Sequence, residues 1–246
     1  MNEEPRIIRT DEGGLCTLIL NRPDKLNALD TLAFEALAAH CAALEQQGDS
    51  IGCVVLRGSG RGFCAGADLS KIGAVPIDPR YKPGVIDRLG KLPQPVIAAV
   101  HGACYTGGLE LALAADFIIA DATARFADTH GKWGFVGEWG MSQRLPRRIG
   151  VPAAKMMMLT AQTLDADTAR AMGLVDILVA EGGLGPRVAE LAAAILANSW
   201  HTNFATKRLM RETEGMSLAE GLAHENYRNP GFAPDCQERI AQFTKK

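Results

Sequence analysis

Apolar residues fall along this chain in two patterns: short unbroken runs, and longer stretches with helical spacing. Residues 53–56 (CVVL), Val96–Val100 (VIAAV) and residues 117–120 (FIIA) are unbroken runs of four or five, the length expected of a buried strand. Near the start, residues 6–10 and Leu15–Leu20 read as two strands joined by a tight turn at Asp11-Glu12-Gly13-Gly14. Helical spacing covers residues 31–47, with Asp30 or Thr31 as N-cap and Gly48 as the stop, and returns over 142–149, 153–159 and 166–172. Residues 175–179 are one more short apolar segment. From Arg187 onward amphipathic helices are readable around 188–197, 206–211, Leu218–Arg228 and 236–243. Strands mixed with helices and then an all-helical tail predict an α/β core with a C-terminal helical region.

Residues 95–120, PVIAAVHGACYTGGLELALAADFIIA, read as strand, glycine loop, helix and strand. The helix LELALAA carries one polar side chain, Glu110, and a helix that is apolar all round is a buried one. Glu110 is therefore expected inside the protein. A buried carboxylate is costly unless paired, hydrogen-bonded or protonated, and burial raises its pKa toward the range useful for proton transfer. Gly107 and Gly108 stand at the presumed helix start, where N–H groups have no intrahelical acceptor. With no side chain to screen them, such groups can face a substrate oxygen that gains negative charge during reaction.

Composition narrows the partners. With 246 residues, 47% hydrophobic and 22% charged, the chain can bury one substantial core. A net charge of −2 with both signs interspersed provides no basic stripe for nucleic acid, so the expected partner is a small molecule. No apolar run approaches the roughly 20 residues of a bilayer span, and MNEEPRIIRT lacks the basic-then-apolar order of a secretory signal, so a cytoplasmic location and no membrane partner are expected. The six cysteines are scattered with no C-x-x-C pair, which suggests reduced thiols packed as small apolar residues rather than a metal site or a disulfide framework. Gly58-Ser59-Gly60-Arg61-Gly62 matches neither nucleotide-binding glycine pattern and reads as a flexible turn. The proline-rich segment 70–93 is the candidate mobile loop, and residues 124–140, rich in glycine and aromatics, read as mostly irregular.

Five stretches, LILNRPDKLNAL, GRGFCAGADLS, residues 95–120, ARFADTHGKWGFVGEWGMSQRLPRRIG and ARAMGLVDILV, together resemble the crotonase, or enoyl-CoA hydratase/isomerase, superfamily over nearly the whole length. The resemblance implies a crotonase-like spiral of ββα units over residues 1–195 and a helical region, 196–246, that mediates homotrimers, commonly paired into hexamers. It implies stabilisation of a thioester enolate, with coenzyme A entering as part of an acyl-CoA substrate and no separate cofactor or metal. The two oxyanion-hole positions fall on Ala67 and Gly107. Contacts to CoA fall on the backbone of Ala65, Gly66, Ala67, Asp68 and Leu69, with a basic or polar contribution near Lys25.

Hydratases of this family use two glutamates. The first aligns with Glu110; at the second position stands His130. An imidazole exchanges protons near pH 7 and can share the acid/base work, or it can hydrogen-bond the substrate or a neighbour. Glu138 stands where hydrolase, dehalogenase and carnitinyl-CoA dehydratase relatives place an acidic residue facing the acyl group, although a loop glutamate also reads as solvated. Thr106 replaces the family's usual Gly or Ala, either narrowing the acyl pocket or hydrogen-bonding the loop. Trp133, Phe135 and Trp139 line the acyl site or pack in the core, His101 caps or fills a gap, and Cys64 and Cys104 flank the two oxyanion loops. The expected activity is enoyl-CoA hydration with Glu110 as base. The alternatives are an isomerase, dehydratase or thioester hydrolase using Glu138, or an acyl-CoA-binding protein without turnover.

Overall fold

The computed structural model describes residues 4–71 and 78–244. Among them nine strands follow in chain order: β1 (Ile7–Glu12), β2 (Leu15–Leu20), β3 (Cys53–Gly58), β4 (Val96–Val100), β5 (Ala103–Tyr105), β6 (Phe117–Asp121), β7 (Arg125–Ala127), β8 (Leu164–Asp165) and β9 (Ile177–Val179). Six of them form one sheet in the order β1-β2-β3-β4-β6-β9, and β5-β7-β8 form a smaller one. The hairpin β1–β2 is antiparallel and the rest of the large sheet is parallel. Among the described residues eleven α-helices connect and cover the strands: α1 (Thr31–Leu44), α2 (Tyr81–Gly90), α3 (Gly107–Leu113), α4 (His130–Trp133), α5 (Met141–Ile149), α6 (Val151–Thr160), α7 (Ala166–Ala171), α8 (Leu184–Ala197), α9 (Trp200–Glu212), α10 (Leu218–Arg228) and α11 (Cys236–Thr244).

The unbroken apolar runs have a physical cause. Internal parallel strands are covered on both faces, so they need apolar side chains at every position. Val54, Leu56, Val96, Ala98, Val100 and Ile118 point into the main core with Phe34 and Leu37 of α1. Their neighbours Cys53, Val55, Ile97, Ala99 and Ile119 pack on the opposite face against Val188 and Ala192 of α8.

After β3 and β4 the chain turns out of the large sheet into a short extended segment and then into a helix. Cys64 bridges Cys104 of β5, β5 pairs with β7, and Ala67 bridges Leu29. The segments leaving β2, β3, β4 and β6 therefore lie side by side along one edge. This succession of long strand, short strand and helix is the expected crotonase-like ββα spiral, and its edge is where the site forms.

Asp30 is the N-cap of α1, accepting from Ala33 N at 2.9 Å, and the helix ends at Leu44 rather than near residue 47. The first strand runs on through Glu12, leaving Gly13-Gly14 as the turn, with φ 57° and 85°. Both values suit the twist of a two-residue hairpin and glycine reaches them freely. The segment expected to be a mobile loop and the one expected to be mostly irregular both carry order. Within 70–93, α2 forms despite Pro83, which occupies the first turn, where a missing N–H leaves no intrahelical bond unmade. Its Val85, Ile86 and Leu89 are buried, while residues 72–77 of that candidate loop lie outside the described residues. Within 124–140 lie β7 and the single turn α4.

Helix α9 docks on the core through polar contacts at the strand starts. Lys207 Nζ donates to Asp116 Oδ2 at 2.6 Å and to Gln94 O at 2.9 Å, and Arg211 donates to Lys91 O at 3.0 Å. No described helix is long and apolar enough to cross a membrane. Replacing Lys207 with Met is expected to destabilise the fold by about 2–4 kcal/mol, less than for a fully buried pair because Asp116 keeps partial contact with solvent. The midpoint of urea unfolding reads this, and an unchanged midpoint would show that α9 docks without the ion pair.

Candidate active site

The loops along the sheet edge enclose a cavity of about 620 Å³. Lys25, Ala65, Ala67, Asp68, Leu69, Gly107, Glu110, His130 and Glu138 all line it, so residues from four separate parts of the sequence converge there. Gly66 does not line it but lies directly behind, where an added Cβ would come 3.1 Å from Gly107 N. Tyr105, Thr106, Val136 and the aromatics Trp133, Phe135 and Trp139 complete the wall, with Trp139 packed edge-on against Phe34 at 4.8 Å between ring centres. Lys82 and Lys132 join Lys25 in supplying positive charge.

Ala67 is held from one side only. Leu29 N donates to Gly66 O at 2.8 Å and Asp68 N donates to Leu29 O at 3.0 Å. Because the flanking residues make these bonds, the N–H of Ala67 points to the other edge of its extended segment. It has no acceptor among the described residues, and neither has the N–H of Gly107, the first residue of α3. The two glycines are demanded by contact as much as by chemistry. A Cβ on Gly108 would stand 2.1 Å from Cys64 O, and one on Gly107 would stand 2.3 Å from the Trp139 ring. Only a bare backbone lets α3 approach the Cys64 segment this closely.

Glu110 is 1% exposed. Its Oε1 accepts from Trp139 N at 2.9 Å and from Met141 N at 3.0 Å, which fixes the carboxyl group and leaves Oε2 facing His130 Nε2 at 3.8 Å. Burial pushes the Glu110 pKa above the usual carboxylate range, against the opposing pull of the Met141 N–H, the imidazole and the Trp139 N–H.

His130 is held by Asp128, whose Oδ1 accepts from His130 N at 3.1 Å and lies 2.6 Å from Nδ1. Asp128 is itself buried. Burial alone would lower the imidazole pKa. The Asp128 hydrogen bond and charge, joined by the charges of Glu110 and Glu138, outweigh it and hold the imidazole above its ordinary value. Asp128 donates nothing as a carboxylate, so Nδ1 carries the proton toward it and Nε2 is the ring atom turned to the cavity. Sequence reasoning named His130 and missed Asp128; the Asp-x-His spacing in a loop was the available signal.

Thr106 has φ 50° and ψ −112°, a conformation costing about 1–3 kcal/mol for a residue other than glycine. Of its two expected roles, the structure places the hydroxyl in a hydrogen bond, 2.5 Å from Thr129 Oγ1, and the residue also lines the cavity. Glu138 is exposed at the cavity mouth. His101 Nε2 bonds Gly60 O at 2.8 Å, tying down the glycine-rich turn. Burial pushes the Cys64 thiol to about 12 and the Cys104 thiol well above its ordinary value, so both stay protonated and unreactive at neutral pH. Among the described residues, no group of three or more His, Cys, Asp or Glu side chains is arranged to hold a metal ion.

An α/β spiral whose edge carries unpaired amides beside a buried carboxylate defines a crotonase-type protein. The family model described as enoyl-CoA hydratase/isomerase matches residues 10–243, and the chain belongs to that family. It is 34% identical over 225 residues to the "probable enoyl-CoA hydratase 1, peroxisomal" of Arabidopsis thaliana, covering 90% of this chain and 84% of that protein. It is 31% identical over 246 residues to 1,2-epoxyphenylacetyl-CoA isomerase of Escherichia coli, covering 96% and 94%. The crystal structure of an enoyl-CoA hydratase from Mycobacterium smegmatis superposes with a TM-score of 0.91 at 29% identity, covering 98% of this chain and 97% of that one.

Gly108→Ala forces a methyl group onto Cys64 O and is expected to cost about 1–3 kcal/mol of stability, with a loss of activity larger than that destabilisation explains. Gly185→Ala, whose added Cβ meets nothing within 4 Å, is the control. Denaturant midpoints and turnover of the pair check this, and equal behaviour of the two variants refutes the packing requirement.

Proposed function

We propose that the protein is an enoyl-CoA hydratase that reversibly adds water across the 2,3 double bond of an enoyl-CoA thioester. The observation that carries this reading is the facing pair Glu110 Oε2 and His130 Nε2, 3.8 Å apart, in the cavity where the Ala67 and Gly107 N–H groups have no acceptor among the described residues. The thioester oxygen accepts from those two amides. Glu110 Oε2 takes a proton from water as the water oxygen bonds to the β-carbon, and the π electrons move onto the thioester oxygen as an enolate. The enolate returns its electrons to the α-carbon, which takes the proton from His130 Nε2. Solvent exchange resets Glu110 as carboxylate and His130 as imidazolium. In this scheme Asp128 compensates for the missing second glutamate: it keeps the imidazole charged, so that the group at that position can still give a proton.

Lys25 and the backbone of residues 65–69 would hold the CoA moiety, which the substrate itself brings, so no separate cofactor is needed. The trimer or hexamer belongs to the same reading. It is supported by the apolar side chains that the C-terminal helices expose, with Leu218 at 80% and Phe243 at 82%. A second reading, isomerase or thioester hydrolase, is favoured by Glu138, whose carboxylate shares the cavity with His130, and by the isomerase among the relatives.

Glu110→Gln is expected to lower kcat on crotonyl-CoA or longer enoyl-CoAs by roughly 10²- to 10⁴-fold with the fold intact. Wild-type turnover in that variant would remove Glu110 as base, and activity lost only in Glu138→Gln would favour the second reading.

The pH profile of kcat/KM follows from the two shifts. Activity should rise with pH as Glu110 loses its proton, at a pKa above that of an ordinary glutamate, and fall as His130 loses its own, above that of an ordinary histidine. Asp128→Asn removes the charge that raises His130, so the alkaline limb should move to lower pH, and the acid limb should move the same way by less, because the Asp128 charge is the smallest of the influences on Glu110. An unmoved alkaline limb would exclude His130 as the acid.

A further inference from the structure

We propose that Thr106 is a positioning residue that aims the Gly107 N–H, and that its hydroxyl bond to Thr129 keeps that amide in register with His130. The inference rests on the reading of Gly107 as an oxyanion donor. The direction of the Gly107 N–H is set by the dihedral angles of the residue before it. That residue is in the φ 50°, ψ −112° conformation, which glycine adopts without strain and a β-branched side chain resists. Unrestrained, the Thr106–Gly107 peptide would rotate toward an ordinary region and carry the N–H out of line.

Thr106 O, in the same peptide plane as the Gly107 N–H, accepts from Glu110 N at 3.0 Å, and bonds at the amide and the hydroxyl hold the Thr106 Cα from which that plane is aimed. Thr106 N donates to Ala127 O at 2.8 Å. Thr106 Oγ1 lies 2.5 Å from Thr129 Oγ1 and accepts from Thr129 N at 3.2 Å. Thr129 Oγ1 in turn accepts from Trp133 Nε1 at 3.2 Å. Glycine at position 106 would reach the same angles without cost, but it would have no side chain to hold them. Threonine accepts the strain and supplies the anchor. Thr129 is also the residue immediately before His130, so one hydroxyl pair spans from the amide that would stabilise the oxyanion to the segment that carries the imidazole and Trp133.

Three variants test this. Thr106→Val keeps shape and branching but lacks the hydroxyl, Thr129→Val removes the partner and leaves the strained position untouched, and Thr106→Ser keeps the hydroxyl. The readouts are kcat and KM on an enoyl-CoA, and the infrared shift of the thioester carbonyl of bound butyryl-CoA carrying ¹³C at that carbon. Both valine variants should lose about 10- to 100-fold in kcat, with KM within about threefold and the carbonyl band moved toward that of free thioester. Thr106→Ser should stay within about threefold of wild type with the band unmoved. A Thr106→Val protein with wild-type kcat and carbonyl shift overturns the proposal, as does a raised KM with kcat unchanged, which would mean that Thr106 only shapes the pocket. If Thr106→Val does not fold, Thr129→Val decides by the same criteria. A wild-type protein that shifts the bound carbonyl without hydrating any enoyl-CoA refutes the hydratase reading alone, and the valine variants' carbonyl shift then decides Thr106. No carbonyl shift in wild type overturns both.

Discussion

Helix α3 lies so close to the extended chain at Cys64 that a single methyl group on Gly108 would meet a carbonyl oxygen at 2.1 Å. That contact sets the geometry of everything around it. It brings the start of α3 beside Gly66, so that the Ala67 and Gly107 amides, without acceptors among the described residues, open into one cavity. It also places Glu110, one turn further along, against the Trp139 and Met141 N–H groups that take up one carboxyl oxygen and leave the other available. A wider separation would admit side chains at 107 and 108 and would dissolve the arrangement.

The second constraint is electrostatic. The buried Asp128 and Glu110 flank the half-buried His130, and their charges hold its imidazole above its ordinary pKa. Removing any of them from solvent singly would be costly, and together they offset one another. The histidine at position 130 therefore depends on the buried carboxylate behind it. Thr106 likewise depends on its surroundings, since a strained residue persists where neighbouring hydrogen bonds hold it.

Much of this was legible in the residues themselves. The unbroken runs marked β3, β4 and β6 because strands covered on both faces leave no position for a polar side chain. Glu110 announced itself as the lone polar group of an apolar helix, and Asp30 as one of two N-cap candidates. The glycine pair at 107 and 108 marked a place where backbone meets backbone. These features depend on chain neighbours, so their signal is local.

The structure alone decided what depends on distant partners. Helix α2 forms in a proline-rich stretch because its apolar face is buried and its proline falls in the first turn, and neither fact is visible in composition. Asp128 becomes a partner of His130 only once both are buried, and Thr106 reveals its hydroxyl bond only when residues 106 and 129, far apart in the chain, meet beside β7. The direction of the Ala67 N–H follows from a bridge to Leu29 and that of the Gly107 N–H from the backbone angles of Thr106, and no periodicity encodes either. Local patterning settles which segments are strand, helix or turn, whereas hydrogen-bond direction and pKa arise from packing between segments and exist only in the folded protein.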